Sequence, residues 1–255
     1  MDIKNRTALV TGGASGLGEA AVKRIVAADG NVVILDVQEE AGQAFASKLG
    51  KSAYFIKCDV TAEEDVHKAI QKAKELFGGV HFCINCAGTG WAERTVTKTG
   101  AHTLDTFEKI VRLNLIGTFN VASKSALAMT ANTPNENGER GVIVNVASTA
   151  AFDGQIGQTA YAASKSGVVG MTLPMARDLS GLGIRVNTIA PGIFKTPLLM
   201  MLPPENLKAL NESVPFPKRV GVPEEFALLV EHLIVNPYIN GETIRLDGAL
   251  RMAPR

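Results

Sequence analysis

Residues 7–18 read TALVTGGASGLG and join an apolar segment, a glycine-rich turn and the first residues of a helical pattern. The apolar segment at 7–10 has the length and composition of a buried strand. The turn at 11–18 can reverse tightly, because glycine has no Cβ atom to restrict the backbone. A strand that runs through such a turn into a helix is typical of the first unit of a parallel α/β fold.

The same alternation of apolar runs and helical periodicity continues to the end of the chain. Strands are predicted at 7–10, 31–35, 53–57, 80–84, 141–146, 184–189 and 243–246. Short strands rich in Val, Ile and Leu with helices between them imply right-handed crossovers and a parallel sheet that is covered on both faces. The predicted fold is therefore α/β, a Rossmann-type doubly wound sheet of about seven strands that forms a single domain over residues 1–255.

Three segments show neither the apolar run of a strand nor the periodicity of a helix, and they are predicted to be loops. They are residues 89–102, 132–140 and 191–220. The last is rich in Pro and Met and lies late in the fold, where a mobile loop could cover a substrate. The alternative is an ordinary long connection between two elements.

The composition limits the classes of function. The chain has 255 residues, is 46% hydrophobic, and balances 26 Lys and Arg against 25 Asp and Glu. Such a chain buries a large core but offers no basic surface for nucleic acid or an anionic membrane. No apolar run has the length of a transmembrane helix, and residues 1–10 lead into a strand instead of a targeting peptide. A cytoplasmic protein with small-molecule chemistry is expected.

Cysteine and histidine usage predicts no metal site. Cys58, Cys83 and Cys86 are an odd number of thiols and do not describe a disulfide framework. Cys83 and Cys86 form a C-x-x-C, but a strand directs residues three apart to opposite faces, unlike a redox motif at a helix start. The four histidines are scattered and lack the H-E-x-x-H pattern.

The glycine-rich turn at 11–18 is suited to bind a dinucleotide. It follows a strand and opens a helix, whose free N–H groups and positive dipole end attract phosphate. Asp36 closes the second strand 18 residues after Gly18, where a carboxylate would bind the adenosine ribose and repel a 2′-phosphate. Because no Lys or Arg lies in the turn or beside Asp36, NAD(H) is expected in preference to NADP(H).

A tyrosine and a lysine lie four residues apart in YAASK, residues 161–165. On a helix Tyr161 and Lys165 share one face. Free tyrosine, with a pKa of about 10, is a poor base at neutral pH, but a nearby ammonium favours the phenolate. The pair could exchange a proton with an alcohol or a carbonyl, although this spacing also occurs by chance in many helices.

Five motifs occur in the order found in the short-chain dehydrogenase/reductase family, which the chain resembles over nearly its whole length. They are TGxxxGxG at 11–18, NCAG at 85–88, Asn114, Ser148, and Tyr161 with Lys165. Ser148 lies 13 residues before Tyr161, as that family's catalytic serine does, and Pro191-Gly192 with Thr196 resembles its nicotinamide-binding segment.

Two further segments narrow the resemblance to one branch of the family. GIRVNTIAPGIFKTPLL at 183–199 and NGETIRLDGALRM at 240–252 resemble the short-chain 3-hydroxyacyl-CoA dehydrogenases. The resemblance implies reversible oxidation of the 3-hydroxyl of a 3-hydroxyacyl-CoA, with NAD as cofactor. Hydroxysteroids and carrier-linked 3-oxoacyl groups are alternative substrates, and the apolar stretch 198–202 would suit either an acyl chain or a steroid.

The resemblance also implies a role for individual residues. Tyr161 would be the general acid and base, Ser148 would orient the substrate oxygen, and Lys165 would lower the Tyr161 pKa and hold the nicotinamide ribose. With Asn114, these are the implied catalytic residues, and Ser148 and Tyr161 also contact substrate. Cofactor contacts are implied at Gly12, Ser15, Gly16, Leu17, Gly18, Asp36, Asp59, Val60, Cys86, Ala87, Gly88, Tyr161, Lys165, Phe194 and Thr196.

Two of these residues have a structural alternative. Asn114 would position a water in a proton relay from Lys165, but in the apolar stretch 110–119 it could be a buried amide that ties its helix to a neighbour. Asp59, at the end of the third strand, would accept the adenine amino group, but it also fits a helix cap before Thr61.

Family members are usually homotetramers that pack through the helix carrying the catalytic tyrosine, so a homotetramer is implied. Pro174 in that helix predicts a kink or an irregular turn. The mitochondrial matrix is the alternative location by resemblance. A hydrolase would need a G-x-S-x-G elbow around Ser148, which is missing, and a non-catalytic NAD-binding module would not need Ser148, Tyr161 and Lys165.

Overall fold

A computed structural model describes residues 1–197, 199–201 and 203–254 of the chain. The strands are β1 (Thr7–Thr11), β2 (Asn31–Asp36), β3 (Ala53–Lys57), β4 (Phe82–Asn85), β5 (Val96–Thr97), β6 (Gly100–Ala101), β7 (Gly141–Val146), β8 (Ile184–Pro191) and β9 (Thr243–Leu246). The helices are α1 (Gly16–Ala27), α2 (Glu39–Leu49), α3 (Glu63–Phe77), α4 (Leu104–Val111), α5 (Gly117–Met129), α6 (Thr159–Ser180), α7 (Pro204–Ser213) and α8 (Pro223–Val235).

Seven of the described strands form one sheet in the order β3-β2-β1-β4-β7-β8-β9. Every neighbouring pair is parallel, and Val10 of β1 lies between Ile34 of β2 and Ile84 of β4. The direction of winding reverses between β1 and β4, which is the arrangement of a doubly wound fold. The predicted fold class is confirmed.

The core lies on both faces of this sheet. Strands β1, β4, β7 and β8 are buried along their whole length, as parallel strands with helices on both sides should be. Residues of α1, α2 and α8 cover one face around Ile34 and Phe226, and residues of α3, α5 and α6 cover the other around Leu9 and Ile143. Burying each of these side chains contributes about 1.5–3 kcal/mol.

The strand boundaries agree with the predictions where the hydrogen bonds to the neighbouring strands extend over the whole apolar segment. The strands predicted at 53–57, 141–146 and 243–246 have these bounds. The strand predicted at 80–84 instead spans Phe82–Asn85. Val80 is buried, but its carbonyl accepts a hydrogen bond from the Asn132 side chain and takes no part in the ladder.

The segment 191–220 is not the loop that its prolines predict. After β8 it contains a 3₁₀ turn, Leu199–Met201, and helix α7. Pro204 occupies the first turn of α7, where its missing N–H would have no helical partner in any case. Leu198 and Leu202, part of the predicted apolar substrate contact, lie outside the described residues. The predicted loop 89–102 likewise contains the short antiparallel pair β5–β6.

Helix α6 continues through Pro174 from Thr159 to Ser180. The proline ring crowds the carbonyl of the residue four positions earlier, Gly170. Gly170 is exposed, so water can solvate its carbonyl where the helical hydrogen bond is lost. The predicted irregular turn therefore does not interrupt the helix.

Membrane-spanning helices and metal clusters are two further features that the described part of the chain lacks. Within it, no helix is long and apolar enough to cross a membrane. The His, Cys, Asp and Glu residues among the same positions form no group of three or more that could hold a metal ion.

Candidate active site

The predicted site residues gather at the carboxyl edge of the sheet. The turns after β1, β4, β7 and β8 all open on this edge, on either side of the point where the strand order reverses. Open α/β sheets bind ligands in the crevice outside the carboxyl ends of the strands, at this reversal. The fold thus brings together segments that are far apart in the sequence.

The glycine-rich turn packs closely against its surroundings. Gly12 has a positive φ of 60°, and a Cβ atom there would lie 3.0 Å from the Ala87 Cα atom. A Cβ atom on Gly18 would lie 2.2 Å from the Gly12 carbonyl oxygen, so α1 can start this close to the turn only because residue 18 is glycine. Ser15 is the N-cap of α1 and makes no side-chain capping bond within the described structure. The first N–H groups of α1 can therefore donate hydrogen bonds to an anionic ligand.

The segment after β8 faces this turn. A Cβ atom on Gly16 would lie 3.6 Å from the Thr196 Cγ2 atom. Phe194 is buried, pairs with Gly221 in an isolated bridge, and packs in the same core cluster that Leu17 contacts. Thr196 therefore lies against the glycine turn, at the edge of the sheet where this fold binds ligands.

Asp36 ends β2 with its carboxylate held against the glycine turn. Its Oδ2 atom accepts a hydrogen bond from the Ala14 N–H at 3.1 Å, and Oδ1 accepts one from the Gln38 N–H at 3.1 Å. The residue is 7% exposed. These two bonds fix a negative charge at the end of β2, as the sequence predicts for a ribose contact.

Asp59 and Val60 lie beyond the end of β3, which stops at Lys57. The prediction that Asp59 ends this strand is therefore wrong by two residues. Its Oδ1 atom accepts hydrogen bonds from the Thr61 N–H at 2.8 Å and the Thr61 hydroxyl at 2.9 Å. These bonds form a turn before α3, but the N-cap of α3 is Ala62, so Asp59 does not cap the helix as the structural alternative had it, and the adenine contact stays a prediction. Val60 is buried, and its carbonyl accepts a bond from Asn120 at 2.8 Å.

Residues 86–88 connect the glycine turn to the catalytic candidates. The Ala87 N–H donates to the Thr11 hydroxyl at 3.0 Å. A Cβ atom on Gly88 would lie 3.0 Å from Asn114 Oδ1 and 3.3 Å from Lys165 Nζ. The backbone passes this close to both groups only because residue 88 has no side chain.

Asn114 lies in a π-helical turn, Arg112–Ile116, between α4 and α5. Such turns are frequent at functional sites. Its Oδ1 atom accepts from the Thr89 N–H at 2.9 Å, and its Nδ2 atom donates to the Thr89 carbonyl at 3.0 Å and the Ser164 hydroxyl at 3.1 Å. The side chain thus has the contacts of the structural alternative, a buried tie, and the proton relay stays a prediction.

Lys165 is 5% exposed and lies beside Tyr161 on α6. Its Nζ atom donates to the Val146 carbonyl at 2.9 Å and lies 5.9 Å from the centre of the Tyr161 ring. Burial lowers the pKa of Lys165 to about 8, and the charge interaction with Cys86 opposes that shift.

Tyr161 is half-buried on α6, four residues before Lys165. Burial raises the pKa of Tyr161, and side-chain hydrogen bonding with Ser148 opposes the increase. Lys165 is not among the causes of this shift; its ammonium bonds to the Val146 carbonyl, and its effect on the Tyr161 pKa stays a prediction. Because burial raises the pKa, the phenol is protonated at neutral pH.

The three cysteines have no features of reactive thiols. Burial is the main cause that raises the pKa of Cys58, Cys83 and Cys86 to about 12 each. Cys83 packs in the core on one face of the sheet and Cys86 against the core on the other. This is the arrangement that the strand interpretation of C-x-x-C requires, and it leaves Cys86 in the site without a thiolate at neutral pH.

Several residues of the site were not singled out from the sequence. They hold the candidates in place: Ser164 bonds to Asn114, Val146 accepts from Lys165, and Thr11 accepts from Ala87. Thr11 and Ser164 lie inside the motifs at 11–18 and 161–165, so their place in the sequence could have indicated that they belong to the site. Val146 acts through its carbonyl, which its residue type does not reveal.

Comparisons with known proteins agree with this geometry. The family model described as "short chain dehydrogenase" matches residues 6–206. 3-Hydroxyacyl-CoA dehydrogenase type-2 of Drosophila melanogaster is 53% identical over 99% of this chain and 100% of that protein. The Homo sapiens protein of the same name is 52% identical over 99% of this chain and 97% of its own length.

A solved structure extends the likeness to three dimensions. The crystal structure of 3-hydroxyacyl-CoA dehydrogenase type-2 from Mycobacterium avium superposes with a TM-score of 0.95 at 48% identity, over 98% of each chain. The family match covers most of the chain, and the relatives cover nearly all of it. The chain therefore belongs to the short chain dehydrogenase family and is an oxidoreductase.

Proposed function

We propose that the protein reversibly oxidises the 3-hydroxyl of a 3-hydroxyacyl-CoA to a 3-oxoacyl-CoA, with NAD as the cofactor. The observation that carries this proposal is the grouping of Ser148, Tyr161 and Lys165 at the sheet edge that also holds the glycine turn. The substrate class is supported by the printed names of relatives that are 51–53% identical. When bound, NAD supplies the acceptor for the hydride of the alcohol.

The residues of the chain supply the proton transfer. Tyr161 takes the proton of the alcohol during oxidation and returns it to the carbonyl oxygen during reduction. Ser148 donates a hydrogen bond that orients the same oxygen. Lys165, whose ammonium lies beside the ring, holds the ribose next to the reacting carbon. Because burial raises the pKa of Tyr161, the phenol is protonated at neutral pH, which is the form required for reduction.

The residues present fit a dinucleotide. The close approaches at Gly12 and Gly18 leave backbone N–H groups, and no side chain, to face a pyrophosphate. The hydroxyl of Ser15 makes no capping bond within the described residues, so it is able to bond to a phosphate oxygen. Asp36 places a carboxylate at the end of β2, where the adenosine ribose would lie.

The Asp36→Asn variant is expected to lose at least about tenfold of its preference for NADH over NADPH. A charged hydrogen bond to the ribose is worth about 1.5–3 kcal/mol, and removing the charge also removes the repulsion of a 2′-phosphate. Fluorescence titration with both cofactors measures the ratio of the two Kd values. The ratio is measured because Asp36 also accepts hydrogen bonds from Ala14 and Gln38. Disturbing these bonds would change the affinity for both cofactors but not the ratio between them.

Asp29→Asn is the matched control. Asp29 is exposed and has a positive φ of 59°, a conformation that asparagine tolerates well. It should retain the cofactor preference of the unmodified protein. An Asp36→Asn protein with an unchanged ratio would contradict the ribose role of Asp36.

The acyl-CoA proposal predicts faster NADH oxidation with acetoacetyl-CoA than with a ketosteroid, compared by kcat/KM at equal enzyme concentration. The physical reason is that remote binding energy of the coenzyme portion helps to position the reacting carbonyl. Longer 3-oxoacyl-CoAs measured in the same assay define the chain-length preference. A ketosteroid preferred by orders of magnitude would reverse the substrate assignment and leave the roles of Ser148 and Tyr161 unchanged.

A further inference from the structure

A partly buried arginine on the last strand links three segments at the edge of the site. The Nη2 atom of Arg245 donates to Asp153 Oδ2 at 2.5 Å and to the Leu250 carbonyl at 3.0 Å, and Nε donates to Asp247 Oδ2 at 2.7 Å. Its guanidinium also lies 5.2 Å from the centre of the Phe152 ring. The side chains of Arg245 and Asp153 are 20% exposed and that of Asp247 is 7% exposed. Because they are shielded from water, these contacts are stronger than ion pairs on an open surface.

Asp153 belongs to the turn that begins at Ser148. The Ser148 hydroxyl accepts a bond from the Ala150 N–H at 3.1 Å, and the Ser148 carbonyl accepts one from the Ala151 N–H at 3.0 Å. The Asp153 N–H then donates to the Thr149 carbonyl at 2.9 Å. These bonds are continuous from one residue to the next, so a displacement of Asp153 is passed on to Ser148.

The other partner of Arg245 contacts the segment that follows β8. A Cβ atom on Gly192 would lie 2.8 Å from the Asp247 Cβ atom, and the Gly192 N–H donates to the Leu246 carbonyl at 2.9 Å. Gly192 lies four residues before Thr196, whose side chain lies against the glycine turn. Arg245 therefore lies between the turn that carries Ser148 and the segment that faces the glycine turn.

We propose that Arg245 is a positioning residue for Ser148, which acts by clamping the turn 148–153 to the segment after β9. This inference rests on the proposed function, in which Ser148 orients the substrate oxygen. Arginine suits this task because its planar fork bonds to two carboxylates at fixed angles and stacks on an aromatic ring. A lysine would supply only a point charge to one carboxylate.

The Arg245→Gln variant is expected to reduce acetoacetyl-CoA with a kcat about tenfold to hundredfold lower, since small misplacements of an orienting group have effects of this size. The Kd for NADH should stay within about twofold, because Asp247, which contacts Gly192, keeps its bonds to the Ala249 N–H and to Arg251. Asp153→Asn should produce a similar loss, and it is the second variant if Arg245→Gln folds poorly. The double variant should be no slower than the slower single variant, because both changes break one contact.

A pH profile separates positioning from simple loss of stability. Side-chain hydrogen bonding with Ser148 opposes the rise of the Tyr161 pKa. If Arg245→Gln moves Ser148 away, the midpoint of the pH profile for alcohol oxidation should move to higher pH, in the same direction as in Ser148→Ala. A purely structural role would lower the Tm and leave this midpoint unchanged, and that result would overturn the proposal.

Arg251→Gln is the matched control. Arg251 also donates to Asp247 Oδ2, at 3.1 Å, but its side chain is 62% exposed. This variant should keep the kcat of the unmodified protein, and Arg245→Lys should lie between the unmodified protein and Arg245→Gln. A kcat within twofold in Arg245→Gln, or an equal loss of NADH affinity, would contradict the clamp.

The same measurements distinguish failure of the clamp from failure of the proposed function. If the unmodified protein does not reduce acetoacetyl-CoA but reduces another ketone, the acyl-CoA assignment is wrong. The Arg245 and Asp153 variants are then compared on that ketone, because Ser148 would orient any carbonyl oxygen. A loss of kcat confined to these two variants supports the clamp with either substrate.

Discussion

Replacing Tyr161 by phenylalanine is expected to lower kcat at least about a hundredfold in both directions of the reaction, since general acid–base catalysis contributes about 10²–10⁴ in rate. Phenylalanine keeps the ring and its packing on α6 but removes the hydroxyl that exchanges the proton. The neighbouring Lys165 keeps its bond to the Val146 carbonyl, which does not involve that hydroxyl. The Kd for NADH should therefore stay within about twofold, as measured by fluorescence titration beside steady-state kinetics.

The pH dependence of the unmodified protein checks the same role without a substitution. Burial raises the pKa of Tyr161, so the phenol is protonated at neutral pH. The phenol donates the proton in reduction and the phenolate accepts it in oxidation. As pH rises through the Tyr161 pKa, kcat for oxidation should increase and kcat for reduction should decrease. The residual activity of Tyr161→Phe should lack this titration.

The control for this prediction is Tyr238→Phe. Tyr238 is 97% exposed and is remote from the carboxyl edge of the sheet, because it follows α8 and precedes β9. Its loss should leave kcat and the pH profile unchanged. Near-normal turnover in Tyr161→Phe would remove the hydroxyl from the mechanism and assign proton exchange to another group.

The fold could be predicted from the sequence where local patterns determine it. The buried runs that form β1, β7 and β8 are apolar throughout, and the glycine turn at 11–18 identifies the first strand and helix, so fold class followed from them. Helix α7 could not be distinguished from a loop by proline content alone. Proline is common in loops, but it is also common in the first turn of a helix, where Pro204 lies. The π-helical turn at Asn114 depends on packing between α4, α5 and α6, which no local pattern encodes.

The candidate site shows the same limit. Motif spacing and family resemblance located Ser148, Tyr161 and Lys165, but they did not reveal where each polar group would find its partner. The Lys165 ammonium bonds to a main-chain carbonyl of β7, and Arg245 bonds to Asp153, 92 residues away in the sequence. Such contacts depend on how strands and turns meet at the sheet edge. Burial of Tyr161, which raises its pKa, is likewise a property of the folded site that the sequence motif does not reveal.

Replacing Lys165 by methionine is expected to weaken NADH binding about tenfold to hundredfold and to lower kcat. The reason is that a hydrogen bond from a charged donor to the ribose is worth about 1.5–3 kcal/mol. Methionine has a similar length and fills the same space without a donor. In the unmodified protein, NADH affinity should decrease from about pH 8 upward, where Lys165 begins to lose its proton. The difference in Kd between the two proteins should shrink over the same range.

The same substitution should leave the stability of the fold nearly unchanged. Lowering the Lys165 pKa to about 8 corresponds to about 3 kcal/mol against folding at pH 7, at about 1.4 kcal/mol for each tenfold change in proton affinity. Methionine removes this unfavourable term but leaves the Val146 carbonyl without its donor, which costs about 1–3 kcal/mol. The two effects offset each other, so the Tm at pH 7 should be close to that of the unmodified protein.

The pH dependence of stability gives the sign of the effect. Lysine in the unfolded chain keeps its proton until about pH 10.5, whereas folded Lys165 releases its proton from about pH 8. Between these values the unfolded state binds more protons, so the unfavourable term of Lys165 declines as pH rises. The free energy of unfolding of Lys165→Met, relative to that of the unmodified protein, should therefore be highest below pH 8 and should decrease toward pH 10.5, as measured by urea unfolding.

Lys68→Met provides the control, because Lys68 is 61% exposed on α3 and pairs only loosely with Glu64 at 3.9 Å. It should change neither the Kd for NADH nor the free energy of unfolding by more than about 0.5 kcal/mol. Unchanged NADH affinity in Lys165→Met would contradict the ribose role of Lys165. A variant that is much less stable below pH 8 than above it would show that the buried ammonium stabilises the fold, contrary to its lowered pKa.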